Sequence, residues 1–215
     1  MHSLRLDCLV VGAGPSGLTA ALYLARYKRQ FLVAKSGVSR AALIPMSHNY
    51  PGFPEGIAGP ELLRRLRLRA LRYGAVIRSG TVHSIEQNDD GAFVACIDEE
   101  HVSARTVPLA TGVVDVEPEL PQLHYAIRRG LVRHCPICDG YEASNQHVAV
   151  LGHGAKVVRE AVFLRTYTPH LTVFATGDLR AIDAEHRQLL AHHGIRLVER
   201  PIRRVCTEGA LLIGL

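Results

Sequence analysis

The fold class predicted by the sequence is α/β: two similar units in tandem, each on a three-layer, mostly parallel sheet, with an antiparallel β insertion in the first. Three observations predict it. Leu6 to Val11 is a short apolar run ending in Gly12-Ala13-Gly14-Pro15-Ser16-Gly17; Leu18 to Arg29 then has helical apolar spacing, and Gln30 to Ala34 is a second apolar run. Strand, glycine turn, helix and strand in about 30 residues is the crossover that forces two parallel strands. The order returns in the second half, where His147 to Leu151 reads as a strand, Gly152-His153-Gly154 as a turn, Ala155 to Tyr167 as a helix and Leu171 to Ala175 as a strand. Between these, strand-like runs at Ala75 to Ile77, Thr81 to Glu86 and Ala92 to Ile97, with the turn signal Asn88-Asp89-Asp90-Gly91, predict antiparallel pairing before a strand at Arg105 to Leu109. Acids and prolines across Asp115 to Pro121 read as a linker. The pattern is that of two Rossmann-like nucleotide-binding domains, 1–112 and 113–215.

Composition sets the outer limits. A chain of 215 residues, 47% hydrophobic and 21% charged, is long enough to bury a core, which excludes a disulfide-stapled miniprotein and a disordered chain. The apolar run near the start, Cys8 to Val11, is far shorter than the roughly 18 residues of a membrane span, and no signal-peptide pattern precedes it, so no membrane association is expected. Five cysteines with one close pair suit a reducing compartment, and the cytoplasm is the expected location. Cys8 and Cys96, in apolar strands, read as small core residues. The formal charge of +5 is concentrated in Glu61 to Arg72, where Leu62, Leu63, Leu66, Ala70 and Tyr73 form one helical stripe and arginines the opposite face. Without an aromatic platform, that face reads as solvated rather than as a nucleic-acid site.

The first glycine turn has a specific physical reading. Gly12 permits the tight turn, Gly14 lets backbone approach a pyrophosphate, and Gly17 permits close helix-to-strand packing, with the anion on the helix N-terminus and Ser16 adding a hydroxyl donor. The acid expected about 20 residues later for a ribose hydroxyl is replaced by Ala34 and Lys35. Lys35 fits a phosphate contact or a solvated strand end equally well.

Cys135-Pro136-Ile137-Cys138 places two thiols within one turn, the spacing of a reversible disulfide. A protonated His134 would favour thiolate, and Asp139 could give or take a proton. Structural zinc competes, because His147 and His153 extend the pair to a four-ligand run. Its x8 spacer is short, however, and the histidines fall on a strand start and a turn, so no metal is expected. Haem attachment fails because Asp139 follows the second cysteine.

Over essentially its whole length the sequence resembles the low-molecular-weight thioredoxin reductase family of flavoproteins. Gly12 to Leu18 resembles the FAD pyrophosphate loop, Asn49-Tyr50-Pro51-Gly52-Phe53-Pro54 the loop near the flavin, Ala110-Thr111-Gly112 the segment closing the first flavin portion, and Cys135 to Gly140 the redox dithiol. The resemblance implies a first domain that binds FAD through Gly12, Gly14, Pro15, Ser16, Gly17, Lys35, Asn49, Thr111 and Gly112. It also implies a second domain, with Gly152, Gly154 and Ala155 at a nucleotide loop, that carries the dithiol. Cys138 would face the flavin and bond to it transiently, Cys135 would attack the substrate disulfide, and Asp139 would donate the proton. The implied partner is a thioredoxin-like protein or a small-molecule dithiol or disulfide, and self-association into a homodimer is a further implication. Pro136 and the Tyr141-Glu142 ending resemble a divergent branch that includes small-molecule dithiol oxidases.

Three departures shape the functional expectation. The ribose-binding acid is absent, Val157 stands where a small residue should, and no arginine pair for a 2′-phosphate follows Leu171 to Ala175. NADPH use is therefore left open. The chain also stops at Leu215, before the expected return to the flavin domain. The expectation is an FAD-dependent disulfide oxidoreductase, with an oxygen-dependent dithiol oxidase and a catalytically silent nucleotide-binding chain as alternatives.

Overall fold

The computed structural model describes residues 5–200, 202–208 and 211–214. The chain divides into two compact units, Met1–Asp115 and Val116–Leu215, so the division falls at the start of the segment read as a linker.

The first unit runs β1 (Leu6–Val11), α1 (Pro15–Arg26), β2 (Phe31–Lys35), a 3-10 turn (Arg40–Leu43), α2 (Gly59–Arg72), β3 (Ile77–Ser79), β4 (Val82–Gln87), β5 (Phe93–Ile97) and β6 (Glu100–Thr106). Its sheet has the order β3-β2-β1-β6-β5-β4. The first four strands are parallel, with Val10 beside Val33 and Val33 beside Ile77, and β6-β5-β4 form an antiparallel meander. Strand alternation feeds two cores. Cys8, Val10, Phe31 and Val33 pack with Ala21 of α1 and Ala70 of α2, while Leu9, Leu32 and Ala34 pack with Ala95, Ile97 and Ala104 of the meander. The second face of the parallel sheet is thus covered by curled antiparallel strands.

Several boundaries depart from the expected ones for local reasons. α1 begins at Pro15, because proline at a first helical position forfeits no hydrogen bond, and it ends at Arg26 as Lys28 turns to φ 55°. The run at 75–77 was expected in the antiparallel insertion; instead Ala75 is core, and the strand that follows joins β2 in parallel. β6 starts before Arg105, directly after the two-residue Asp98-Glu99 turn in which Asp98 takes φ 53°. Cys96 points away from the core, since alternation buries Ala95 and Ile97 on either side of it. The α2 stripe buries Leu62 and Ala70, but Tyr73 lies beyond the helix, exposed, with its hydroxyl accepting from Arg26.

The second unit runs α3 (Leu123–Arg128), α4 (Pro136–Asp139), a 3-10 turn (Tyr141–Ala143), β7 (Val148–Gly152), α5 (Gly154–Leu164), β8 (Leu171–Ala175), a 3-10 turn (Leu179–Ala181), α6 (Ala184–His192), β9 (Arg196–Val198), β10 (Cys206–Glu208) and β11 (Leu211–Gly214). β7, β8 and β9 form a parallel sheet in that order. Val150 and Val173 of the sheet pack against Val157, Val158, Ala161 and Leu164 of α5 and Leu190 of α6. β10 and β11 pair antiparallel, and Val205 just before β10 packs on Leu123, Ala126 and Ile127 of α3.

Candidate functional site

In the first unit the glycine turn is built against the 108–112 segment. Val11 N–H donates to Pro108 O (3.0 Å), Ala110 N–H donates to Val11 O (2.8 Å), and Gly12 N–H donates to Ala34 O (2.8 Å). Gly12 has φ +109°, and a Cβ there would stand 2.1 Å from Ala110 O. A Cβ on Gly17 would stand 1.9 Å from Gly12 O, so helix and turn meet backbone to backbone. At Gly14, the N-cap of α1, the only neighbour of an added Cβ is Ser39 Oγ at 3.2 Å. Two glycines therefore meet backbone, and the third meets the Ser39 hydroxyl. The first turn of α1 contains no acid, and its N–H groups lack intrahelical partners, which suits an anion.

Thr111 is exposed beside Gly12, and Gly112 takes φ +75°. Lys35 ends β2. The loop carrying Asn49 is bracketed by the Ser47–Ile57 bridge; Asn49 Oδ1 accepts from Ser47 Oγ (2.8 Å), and Phe53 lies under the Arg65 guanidinium (5.4 Å). Ser39 and the Arg40–Asp115 ion pair, which ties the turn after β2 to the chain beyond Gly112, were not identified from the sequence. A small polar residue shortly after the second strand is the signal that could have marked Ser39.

The second glycine turn has a different backbone. Gly154, rather than Gly152, takes positive φ (+58°), and Val157, 1% exposed, lies over Gly152 so that a Cβ there would be 3.0 Å from Val157 Cβ. An added Cβ at Gly154 would meet only Ala181, at 3.5 Å. Ala155, the second residue of α5, is half-buried.

Cys135 and Cys138 form a disulfide with Cα atoms 5.2 Å apart. Cys135 caps α4: its Sγ accepts from Cys138 N–H (3.2 Å), its carbonyl accepts from Asp139 N–H (3.1 Å), and Pro136 occupies the first helical position. Gly140 is required by packing, since a Cβ there would lie 2.6 Å from the Tyr167 ring. His134 Nε2 is 2.9 Å from Glu117 Oε1, whose other oxygen is 3.4 Å from His124 Nδ1. Arg133 donates to Asp139 Oδ1 at 3.0 Å, a pair that joins the residues on either side of the disulfide. Tyr167, Arg133 and Glu117 carry no motif signal, because each acts across a turn or from another segment. Ile137 and Tyr141 flank the disulfide, both 78% exposed. The zinc run is not assembled: His147 stacks on His170 (4.5 Å), and among the described residues no group of three or more His, Cys, Asp or Glu is placed to hold a metal.

Comparison with known proteins is consistent across sequence and structure. Residues 6–204 match the family model described as pyridine nucleotide-disulphide oxidoreductase. The bifunctional thioredoxin reductase/thioredoxin of Mycobacterium leprae is 36% identical over 82% of this chain and 39% of its own length, and the thioredoxin reductase of Mycolicibacterium smegmatis is 35% identical over 80% and 55%. The chain thus spans roughly half of these relatives or less. Among solved structures, HlmI superposes with TM-score 0.79 at 30% identity, covering 99% of this chain and 67% of that one. The thioredoxin reductase of Streptococcus pyogenes gives 0.81 at 26%, covering 95% and 67%. Among the described residues no helix is long and apolar enough to cross a membrane.

Proposed function

The chain belongs to the pyridine nucleotide-disulphide oxidoreductase family, and from that premise we propose that it is a thioredoxin reductase-like, FAD-dependent disulfide oxidoreductase. The observation that carries the reading is the Cys135–Cys138 disulfide on a helix-capping turn, within hydrogen-bond reach of Cys138 N–H. Thioredoxin reductases of this family use FAD and NADPH. The first glycine turn fits FAD: Gly14, with no side chain of its own and the Ser39 hydroxyl beside it, begins an acid-free helix N-terminus, and Ser16, Thr111 and Gly112 lie around the same turn or the segments packed on it. When bound, FAD supplies a two-electron carrier.

The protein's own step is thiol-disulfide exchange. In the reduced pair, a thiolate at Cys135 attacks one sulfur of the substrate disulfide and releases the other as a thiol once it takes a proton. Cys138 then attacks Cys135 Sγ, frees the second substrate sulfur and re-forms the Cys135–Cys138 bond, so that two electrons and two protons pass to the substrate. The N–H of Cys138 beside Cys135 Sγ favours the thiolate there. Thioredoxin-like proteins are the favoured partner class, because the relatives named above are thioredoxin reductases. Oxidation of a small dithiol, the same exchange reversed, is favoured by one observation, Val157 packed over Gly152 in the second loop.

Heating the purified protein should release a yellow supernatant with flavin absorbance, and thiol titration should recover two thiols on reduction and lose them on oxidation. A colourless protein that takes up no added FAD would refute the flavin assignment. Because Cys8, Cys96 and Cys206 are free in either state, the decisive outcome is at the pair itself: Cys135 and Cys138 both still alkylatable after oxidant would refute the dithiol assignment.

A further inference from the structure

The cysteine pair sits inside a second, non-covalent ring. The disulfide closes residues 135–138, and the Arg133–Asp139 ion pair at 3.0 Å closes residues 133–139 around it. Both side chains are partly shielded, at 34% and 22% exposure. Each end of the ring is also anchored: His134 is held by Glu117, and Gly140 lies against the Tyr167 ring. Reduction opens the inner ring and breaks no contact of the outer one.

We propose that Arg133 is a positioning residue of the dithiol: through Asp139 it keeps the two reduced thiols near bonding distance and so favours re-formation of the disulfide. This rests on the reading of Cys135 and Cys138 as a reversible pair. The equilibrium concerned is protein disulfide plus two glutathione thiols giving two protein thiols and glutathione disulfide, with two electrons and two protons passing to the protein. Holding the dithiol chain ordered leaves less conformational freedom to lose on closure, which raises the effective concentration of one thiol at the other.

The test is this equilibrium constant, measured on the full chain by quenching a series of glutathione ratios with an alkylating reagent and weighing the products. Arg133→Gln and Asp139→Asn should each shift it toward the dithiol by about two- to five-fold, the range for an ion pair still reached by water. Because both remove the same contact, the double substitution should shift it no further than either alone. Raising salt from about 0.02 M to about 1 M should give a similar shift in the unsubstituted protein and none in the variants, which a merely structural defect would not reproduce. Arg133→Lys, which keeps the charge, should retain most of the effect. Unchanged constants in the single variants, additive shifts in the double, or no salt dependence would overturn the clasp and leave the reversible dithiol standing. A pair that glutathione neither opens nor closes would overturn the dithiol reading and the clasp together.

Discussion

The two glycine turns share a Gly-x-Gly spacing after a buried strand, yet they place their backbones differently. In the first, Gly12 carries the positive φ and Gly17 meets the turn without a side chain; in the second, Gly154 carries the positive φ and Val157 fills the corresponding space. With the first turn's geometry, a Val157 Cβ would fall where Gly17 allows none, 1.9 Å from a carbonyl oxygen, so the second turn has re-formed around its valine. The neighbours of the second glycine of each turn differ as well: Ser39 offers Gly14 a hydroxyl, whereas Ala181 offers Gly154 a methyl. A shared spacing therefore does not imply an equal capacity to seat a phosphate. The first turn is shaped by backbone atoms, the second by the side chain of a buried valine.

A methyl group added to each turn should have very different consequences. Gly17→Ala puts a Cβ 1.9 Å from Gly12 O, and Gly12→Ala puts one 2.1 Å from Ala110 O at φ +109°. Overpacking of this kind costs typically about 1–3 kcal/mol, and more where only backbone can yield. Both variants should lose FAD uptake and unfold at clearly lower denaturant. Gly152→Ala meets only the Val157 side chain, at 3.0 Å and without positive φ, and should cost about 1 kcal/mol or less. Equal losses at Gly17 and Gly152 in denaturant titrations would erase the distinction between the turns.

Without an arginine pair after β8, a 2′-phosphate forgoes charge-assisted bonds of about 1.5–3 kcal/mol each. NADPH should therefore reduce bound flavin slowly or not at all in anaerobic mixing, with NADH no better. Val157→Ala should speed that reduction while costing about 2 kcal/mol of stability, since Val157 is 1% exposed in the core. Rapid bleaching of the flavin band by micromolar NADPH in the unsubstituted protein would place both turns on an equal footing.

How much was legible in the sequence follows from the range of the forces involved. β1 and β8 are readable to the residue, because an apolar run abuts a turn, with both faces of β1 and one face of β8 buried. β3 was misplaced because it has only three residues and Ala75, just before it, supplies the burial. α6 and β9 went unread: the helix is rich in histidine and arginine, and Leu190 is its only buried residue. At the site, the glycines and the cysteine pair were visible because their chemistry is local. Arg133–Asp139 spans a turn, while Glu117–His134 and Gly140–Tyr167 join separate segments, so no local pattern announces them.

A smaller effect concerns the helices that follow the turns. α1 and α5 start from Gly14 and His153 without a side-chain cap, whereas Asp183 caps α6 by accepting from His186 N–H at 2.9 Å. Asp183→Ala should destabilise the second unit by about 1 kcal/mol, with FAD uptake unchanged. A loss of FAD with this variant would contradict assigning the flavin loop to the first unit.

The smallest effect separates two carboxylates by what holds them ionised. Glu61, at the start of α2, is lowered to about 2 by hydrogen bonds from the Arg64 and Arg65 side chains, whereas Asp183 is lowered first by the backbone N–H of His186. Both folded values lie below the unfolded ones, so each contribution to stability is present above the unfolded value and is lost as pH falls through the folded value. For Glu61 that window runs from its ordinary value of 4.5 down to about 2. Both groups are reached by water, Glu61 partly and Asp183 more fully, so the gain is small, but its response to salt should differ. Ions screen a guanidinium partner over a Debye length of about 3 Å at 1 M, whereas a capping N–H stays fixed by the helix it begins. Side-chain carboxyl titration by NMR should therefore show Glu61 moving back toward the ordinary range in high salt while Asp183 moves little. Equal movement of the two would mean that charge, rather than the N–H bond, holds the α6 cap ionised.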